Sequence, residues 1–142
     1  MEIRNYVLAF PTTGKTDLID ITREVSQKIR ESDIAEGSVL VFVPGSTAAL
    51  TTIEYESGVV EDLRDAIERI APEGLRYRHD ARWGDGNGYS HVRAALLGPS
   101  LTIPVIEGKP VLGTWQQVIL CDFDNRPRNR QVVVQVSGNR GV

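Results

Sequence analysis

The sequence predicts an α/β (α+β) fold, a compact sandwich of mainly antiparallel β-sheets with two or three helices, in one domain over residues 1–142. Three observations carry this expectation. Six segments are apolar or alternate in polarity over strand lengths, two or three others repeat apolar residues at helical spacing, and no repeat, linker or low-complexity stretch divides the chain. With 142 residues, of which 41% are hydrophobic, the chain can bury a real core and has no room for a second independent domain.

The first strand is expected over residues 3–10. A helix follows over 20–30, where Ile21, Val25 and Ile29 recur every four residues behind polar residues able to cap. Strands are expected at 39–43 and 49–55. The next helix is the clearest: Ser57 serves as N-cap, Val59, Leu63, Ala66, Ile67 and Ile70 line one face, Glu61 and Asp62 favour the first turn, and Pro72 stops the run. A short third helix spans 91–97 and closes at Gly98-Pro99. The remainder is strand: 101–106, a hairpin turn at Glu107-Gly108, 110–122 in one or two pieces, and 131–137. The runs 118–120 and 131–136 are too apolar for a sheet wet on one side, so both faces are expected to be covered. Between them, residues 124–130 form a polar turn with three arginines.

Charge narrows the function classes. The 16 Lys and Arg against 19 Asp and Glu give a formal net charge of -3, which argues against nucleic-acid and membrane-surface binding. Cys121, the single cysteine, lies in an apolar run and is expected as a buried thiol. The first residues lack the layout of a signal peptide, and no apolar stretch approaches the ~18 residues of a membrane span. The expected location is cytoplasmic.

The chemistry concentrates around the only two histidines, His79 and His91, which flank a glycine-rich stretch. Gly84, Gly86 and Gly88 let the backbone turn sharply, Asp85 and Asn87 between them point polar groups outward, and the helix that follows would offer free N–H groups to an anion. The pattern matches neither the P-loop nor the dinucleotide fingerprint, and an ordinary surface turn is the plain alternative. The two imidazoles suit metal ligation, with Asp85, Asp80 or Glu54 completing a site, or acid–base and phosphate-donor roles. For His79 the alternative is a surface ring beside Asp80, and for His91 a buried, satisfied one.

Two further constellations stand out. Ser46 and Thr47, after the strand at 39–43, can form a phosphate or oxyanion pocket, or simply a polar turn; no base lies adjacent in sequence to make Ser46 a nucleophile. Glu54 and Glu56 share one strand face, and an inward Glu54 would need a partner or a metal. The segment 113–117 places Trp115 and Gln116 in a strand, the indole for core or interface packing and the amide for a ligand ring.

The run from Gly98 through Gly113-Thr114-Trp115-Gln116 to Val118 resembles the signature of the YjbQ family, the secondary thiamine-phosphate synthase proteins. Asp85-Gly86-Asn87-Gly88 with Ser90-His91 and Ala94 is similar to its second motif, and Ser46-Thr47-Ala48 through Glu54 to a third. The resemblance implies a homotrimer with sites near subunit interfaces. It also implies a low-level thiamine phosphate synthase-type transferase acting on a small phosphorylated heterocycle and releasing pyrophosphate, normally with a divalent metal such as magnesium or zinc. His91, Asp85 and Glu54 are its expected catalytic residues. Ser46, Thr47, Gly86, Asn87, Gly88 and Gln116 are the expected substrate-binding residues, and His79, His91 and Asp85 the expected metal ligands. Gly45 and Tyr89 stand where many relatives have histidine, which makes any site here poorer in imidazole. The competing classes are a binding protein for an inorganic anion or a metal, and a trimeric structural or interaction protein.

Overall fold

The computed structural model describes all residues, 1–142. In chain order its elements are β1 (Glu2–Thr12), β2 (Asp17–Asp20), α1 (Thr22–Ser32), β3 (Ile34–Phe42), β4 (Ala48–Ile53), α2 (Ser57–Ile70), α3 (Arg78–Trp83), α4 (Gly88–Leu97), β5 (Ser100–Ile106), β6 (Lys109–Pro110), β7 (Gln117–Asp122) and β8 (Arg128–Arg140). The strands form a five-stranded sheet, β1-β8-β3-β5-β6, and a three-stranded sheet, β2-β7-β4, and every pairing is antiparallel. The mixed α+β class holds, with four helices rather than two or three.

Side-chain alternation sets the layers. Val132, Val134 and Val136 of β8 face inward with Val39 and Val41 of β3 and Ile103 and Val105 of β5, and they meet Leu50, Val118 and Leu120 of the smaller sheet. The apolar face of α1, Val25 and Ile29, packs against this same core together with the N-cap residue Ile21. The other face of β7, Ile119 and Cys121, packs with Ile67 of α2 and Ala94 of α4 in a second core. Hence β7 is covered on both faces, as its unbroken apolar run requires. For β8 the expectation fails: the outer face of the large sheet leaves Ile3, Val7 and Phe42 exposed.

The hairpin at Glu107-Gly108 forms as expected. Ile106 pairs with Lys109, and both turn residues have left-handed backbone, φ 52° and 73°, the geometry that matches strand twist in a two-residue turn.

Other expectations shift. The Glu56 carboxylate, not Ser57, caps α2, accepting from the N–H groups of Gly58 and Val59 at 2.8 Å each; Glu61 and Asp62 fall beyond the first turn. The segment 110–122 breaks between β6 and β7, so Trp115 and Gln116 lie in a turn rather than a strand, and Trp115 is 71% exposed. Neither β2 nor α3 was expected, because four residues and six residues are too short to show a period. No helix is long and apolar enough to cross a membrane.

Candidate functional site

The site is built where α3 and α4 close on each other. Gly88 begins α4 directly against Tyr77: a Cβ added there would stand 2.5 Å from the Tyr77 Cβ, so only glycine permits the approach. The Gly88 N–H donates to Asp80 Oδ1 at 2.8 Å, tying the two helices together. Gly84, with φ 71°, ends α3 and reverses the chain.

This closure stacks the two histidines. The His79 and His91 rings lie 4.4 Å apart between centroids, tilted by 39°. Burial, then the neighbouring His79, holds the His91 pKa below its ordinary 6.5, and the negative charges of Asp124, Asp85 and Asp80 only partly offset this. His91 is therefore neutral at physiological pH. His79 Nδ1 is buried without a hydrogen-bond partner, 3.7 Å from Asp80 Oδ1.

A shallow pocket of about 450 Å³ opens over the pair, walled by Arg76, Tyr77, Arg78 and Val92. Arg76 and Arg78 are exposed, and neither takes part in the chain's ion pairs. The pocket is thus an electropositive hollow around a neutral imidazole. On its other side His91 reaches a second hollow of about 280 Å³, where Gly45 and exposed Ser46 face Ala94 and Pro99.

Beneath lies an ionic network that the sequence did not announce. Arg130 donates to both Asp122 oxygens, Nε to Oδ2 at 2.8 Å and Nη2 to Oδ1 at 2.9 Å, and Thr12 Oγ1 donates to Oδ2 at 2.6 Å. Arg128 Nε reaches Asp124 Oδ2 at 2.7 Å, and Asn87 Nδ2 reaches Asp124 Oδ1 at 3.3 Å. Both carboxylates are fully buried. Burial alone would raise their pKa values, but the arginine, hydroxyl, amide and backbone donors outweigh it and hold both below 3.8. The signal available was the two-residue spacing of Asp122 with Asp124 and of Arg128 with Arg130 at the ends of two apolar strands.

The expected site residues divide accordingly. His79, His91 and Gly88 share one pocket, and Ser46 joins His91 in the next. Thr47 is buried, its hydroxyl between Arg130 and Asp124, so it supports the site from below. Asp85 and Asn87 line a separate polar pocket, beside which Gly86 runs with φ 70°. Glu54 lies beyond the end of β4 and is exposed rather than inward. Gln116 is held within the chain, donating to Thr52 Oγ1 and accepting from the Gly113 N–H, each at 3.0 Å. The open helix end is corrected too: α4 starts at Gly88, His91 is its fourth residue, and its first N–H is already taken by Asp80. For a metal, His79 and His91 face each other with Asp80 Oδ1 3.7 Å from His79 Nδ1, but no group of three His, Cys, Asp or Glu side chains is placed to hold an ion. One chain does not fit a divalent metal.

Comparison with known proteins places the molecule among relatives. A family model described as UPF0047 protein YjbQ-like matches residues 6–139. A UPF0047 protein of Archaeoglobus fulgidus is 40% identical over 128 residues, covering 90% of this chain and 97% of its own. One from Methanothermobacter thermautotrophicus is 41% identical, covering 97% and 94%. Among solved structures, a YbjQ-like protein of Sulfolobus solfataricus superposes with a TM-score of 0.88 at 32% identity, over 97% of this chain and all of that one. A YjbQ/UPF0047 protein of Clostridium acetobutylicum gives 0.86 at 32% identity, over 93% and 99%.

Proposed function

The chain belongs to the YjbQ-like UPF0047 family, and from that premise we propose that its histidine pocket holds the phosphate or pyrophosphate end of a small phosphorylated heterocycle for a low-level transferase reaction of the thiamine phosphate synthase type. The observation that carries the reading is the neutral His91, stacked on His79 at 4.4 Å under the unpaired guanidinium groups of Arg76 and Arg78. In such a reaction a heterocycle nitrogen forms a bond to a methylene carbon while the C–O bond to pyrophosphate breaks, and the electron pair leaves with the pyrophosphate. Arg76 and Arg78 would stabilise that developing charge, and His91 would donate one hydrogen bond to a phosphate oxygen. Divalent metal normally neutralises pyrophosphate in this chemistry; no group of three His, Cys, Asp or Glu side chains in the chain is placed to hold one, so the reading rests on Arg76, Arg78 and His91.

We also propose that the chain works as a homotrimer. Ile3, Val7 and Phe42 on the uncovered sheet face, and Trp115 in its exposed turn, supply apolar surface for subunit contact. A second reading, anion binding without chemistry, draws on the same pocket and on the exposed guanidinium groups of Arg76 and Arg78 that line it.

The test is titration of inorganic pyrophosphate into the wild-type protein and into His91→Asn, with turnover assayed in parallel. Binding that weakens about tenfold or more in the variant at unchanged thermal midpoint supports the pocket; product formation decides between transferase and binder. Equal affinity in both proteins would remove His91 from any anion site.

A further inference from the structure

We propose that the hollow between the C-terminal end of α1, the start of β3 and the hairpin of β5 and β6 is a second binding site, and that it takes a free α-amino acid with an apolar side chain, held as its zwitterion. At about 600 Å³ it is the largest hollow in the chain, and it shares no residue with the histidine pocket. The two lie at opposite ends of the large sheet: β5 starts after Pro99, which shares a hollow with His91, and runs to Glu107 at this one. The seven residues of β5 span roughly 23 Å at about 3.3 Å per residue.

Three irregular stretches of backbone build the concavity. Asp33 ends α1 in the left-handed conformation, φ 59°, and its N–H returns to the Arg30 carbonyl at 3.2 Å. Ala35 is the extra residue of a β-bulge: Ile34 pairs with Arg140 and Glu36 with Asn139, which leaves Ala35 without a partner in β8. Its carbonyl accepts the Gly108 N–H at 3.0 Å instead. Glu107, at φ 52°, turns the hairpin, and its N–H donates to Glu36 Oε1 at 3.2 Å. Bulge and hairpin are thereby joined beside the helix end. Four residues other than glycine have positive φ, and two of them, Asp33 and Glu107, line this one hollow. Such conformations collect at ligand sites.

The charges of the lining select the ligand. Arg30 and Lys109 are cationic, Asp33 and Glu107 anionic, and all four are exposed. None of them takes part in the chain's ion pairs. Arg140, which also feels the Asp33 charge, is held by Glu2 at 2.8 Å. An anion in this hollow faces two carboxylates, and a cation faces two basic groups. A zwitterion meets both signs: its carboxylate suits Arg30 and Lys109, and its ammonium suits Asp33 and Glu107. The partial negative charge at the C-terminal end of α1 acts on the ammonium in the same sense as Asp33. Half-buried Ala35 and Pro110, with the aliphatic stems of Arg30 and Lys109, offer apolar surface to the side chain.

The experiment titrates leucine, isopentylamine and 4-methylpentanoate into the full chain by calorimetry. The amine is leucine without its carboxylate and the acid is leucine without its ammonium, so the three share one apolar end. Leucine should bind once per chain at millimolar concentration or below, about tenfold or more tightly than either analogue. Lys109→Met and Asp33→Asn should each weaken leucine about tenfold at unchanged thermal midpoint. Both positions are exposed, and asparagine tolerates the left-handed backbone at 33. Saturating pyrophosphate, directed at the histidine pocket, should leave leucine affinity unchanged, which makes this result independent of the proposed transferase reading. No binding of leucine at millimolar concentration, an analogue that binds as well as leucine, indifference to both substitutions, or displacement by pyrophosphate overturns the proposal.

Discussion

Arg130 grips Asp122 at two points, 2.8 and 2.9 Å, with the carboxylate fully buried and the guanidinium nearly so. The pair sits where β7 ends and β8 begins, and through Thr47 it fixes the strand turn that leads to Ser46. A buried ion pair of this kind is costly to break, because the survivor remains desolvated and uncompensated.

Asp122→Asn should therefore destabilise the fold by about 3–5 kcal/mol, far more than an exposed change. Urea unfolding of the variant measures it. A loss below about 1 kcal/mol would mean that the network is solvated.

Acid should act through the same carboxylates. Their folded pKa values lie below 3.8, so the unfolded chain binds protons first as pH falls. The stability they contribute is full above about 3.8 and is lost as pH drops through the lowered folded values. Thermal midpoints should fall steeply below pH 4, and less steeply in Asp124→Asn, which has one fewer carboxylate to protonate.

His91 works in the opposite range. Its folded pKa is lowered from 6.5, so the unfolded state is the more protonated and stability declines as pH falls from 6.5 to the folded value. His79→Ala removes one of the lowering causes. Its imidazole resonance, followed by NMR, should then titrate closer to 6.5 than in the wild type; an unchanged titration would show that burial acts alone.

Cys121, at the centre of the second core, has its thiol pushed up to about 12 by burial. In the native protein it should resist an aromatic disulfide reagent at pH 8, and it should react fully once denaturant unfolds the chain. Rapid labelling of the folded protein would place this central strand in solvent.

Trp115→Ala separates chain stability from assembly. With the indole 71% exposed in a single chain, the unfolding free energy of the isolated chain should change by less than about 0.5 kcal/mol. Sedimentation should show a weaker oligomer if the proposed trimer buries this turn, and an unaltered one would remove Trp115 from the interface.

Much of this architecture was legible in the chain itself, for reasons of period and turn chemistry. Ile21, Val25 and Ile29 announce α1, the unbroken run Val118 to Cys121 announces a strand covered on both faces, and Glu107-Gly108 announces a hairpin. These depend on neighbours within a few residues, which a sequence displays directly. The three glycines at 84, 86 and 88 likewise marked where the chain would turn to bring His79 near His91.

What tertiary structure alone decided is which polar groups meet. Asp80 takes the N–H of Gly88, so the helix end expected to be open is closed; Glu54 runs past the strand into solvent; and Gln116 is held by Thr52, 64 positions away. Asp122 reads as the polar end of a strand and Asp124 as part of a polar turn until β8 returns beside them and supplies Arg128 and Arg130. Backbone periodicity is a local property, whereas the pairing of a buried charge depends on which distant side chain the sheet register delivers to it.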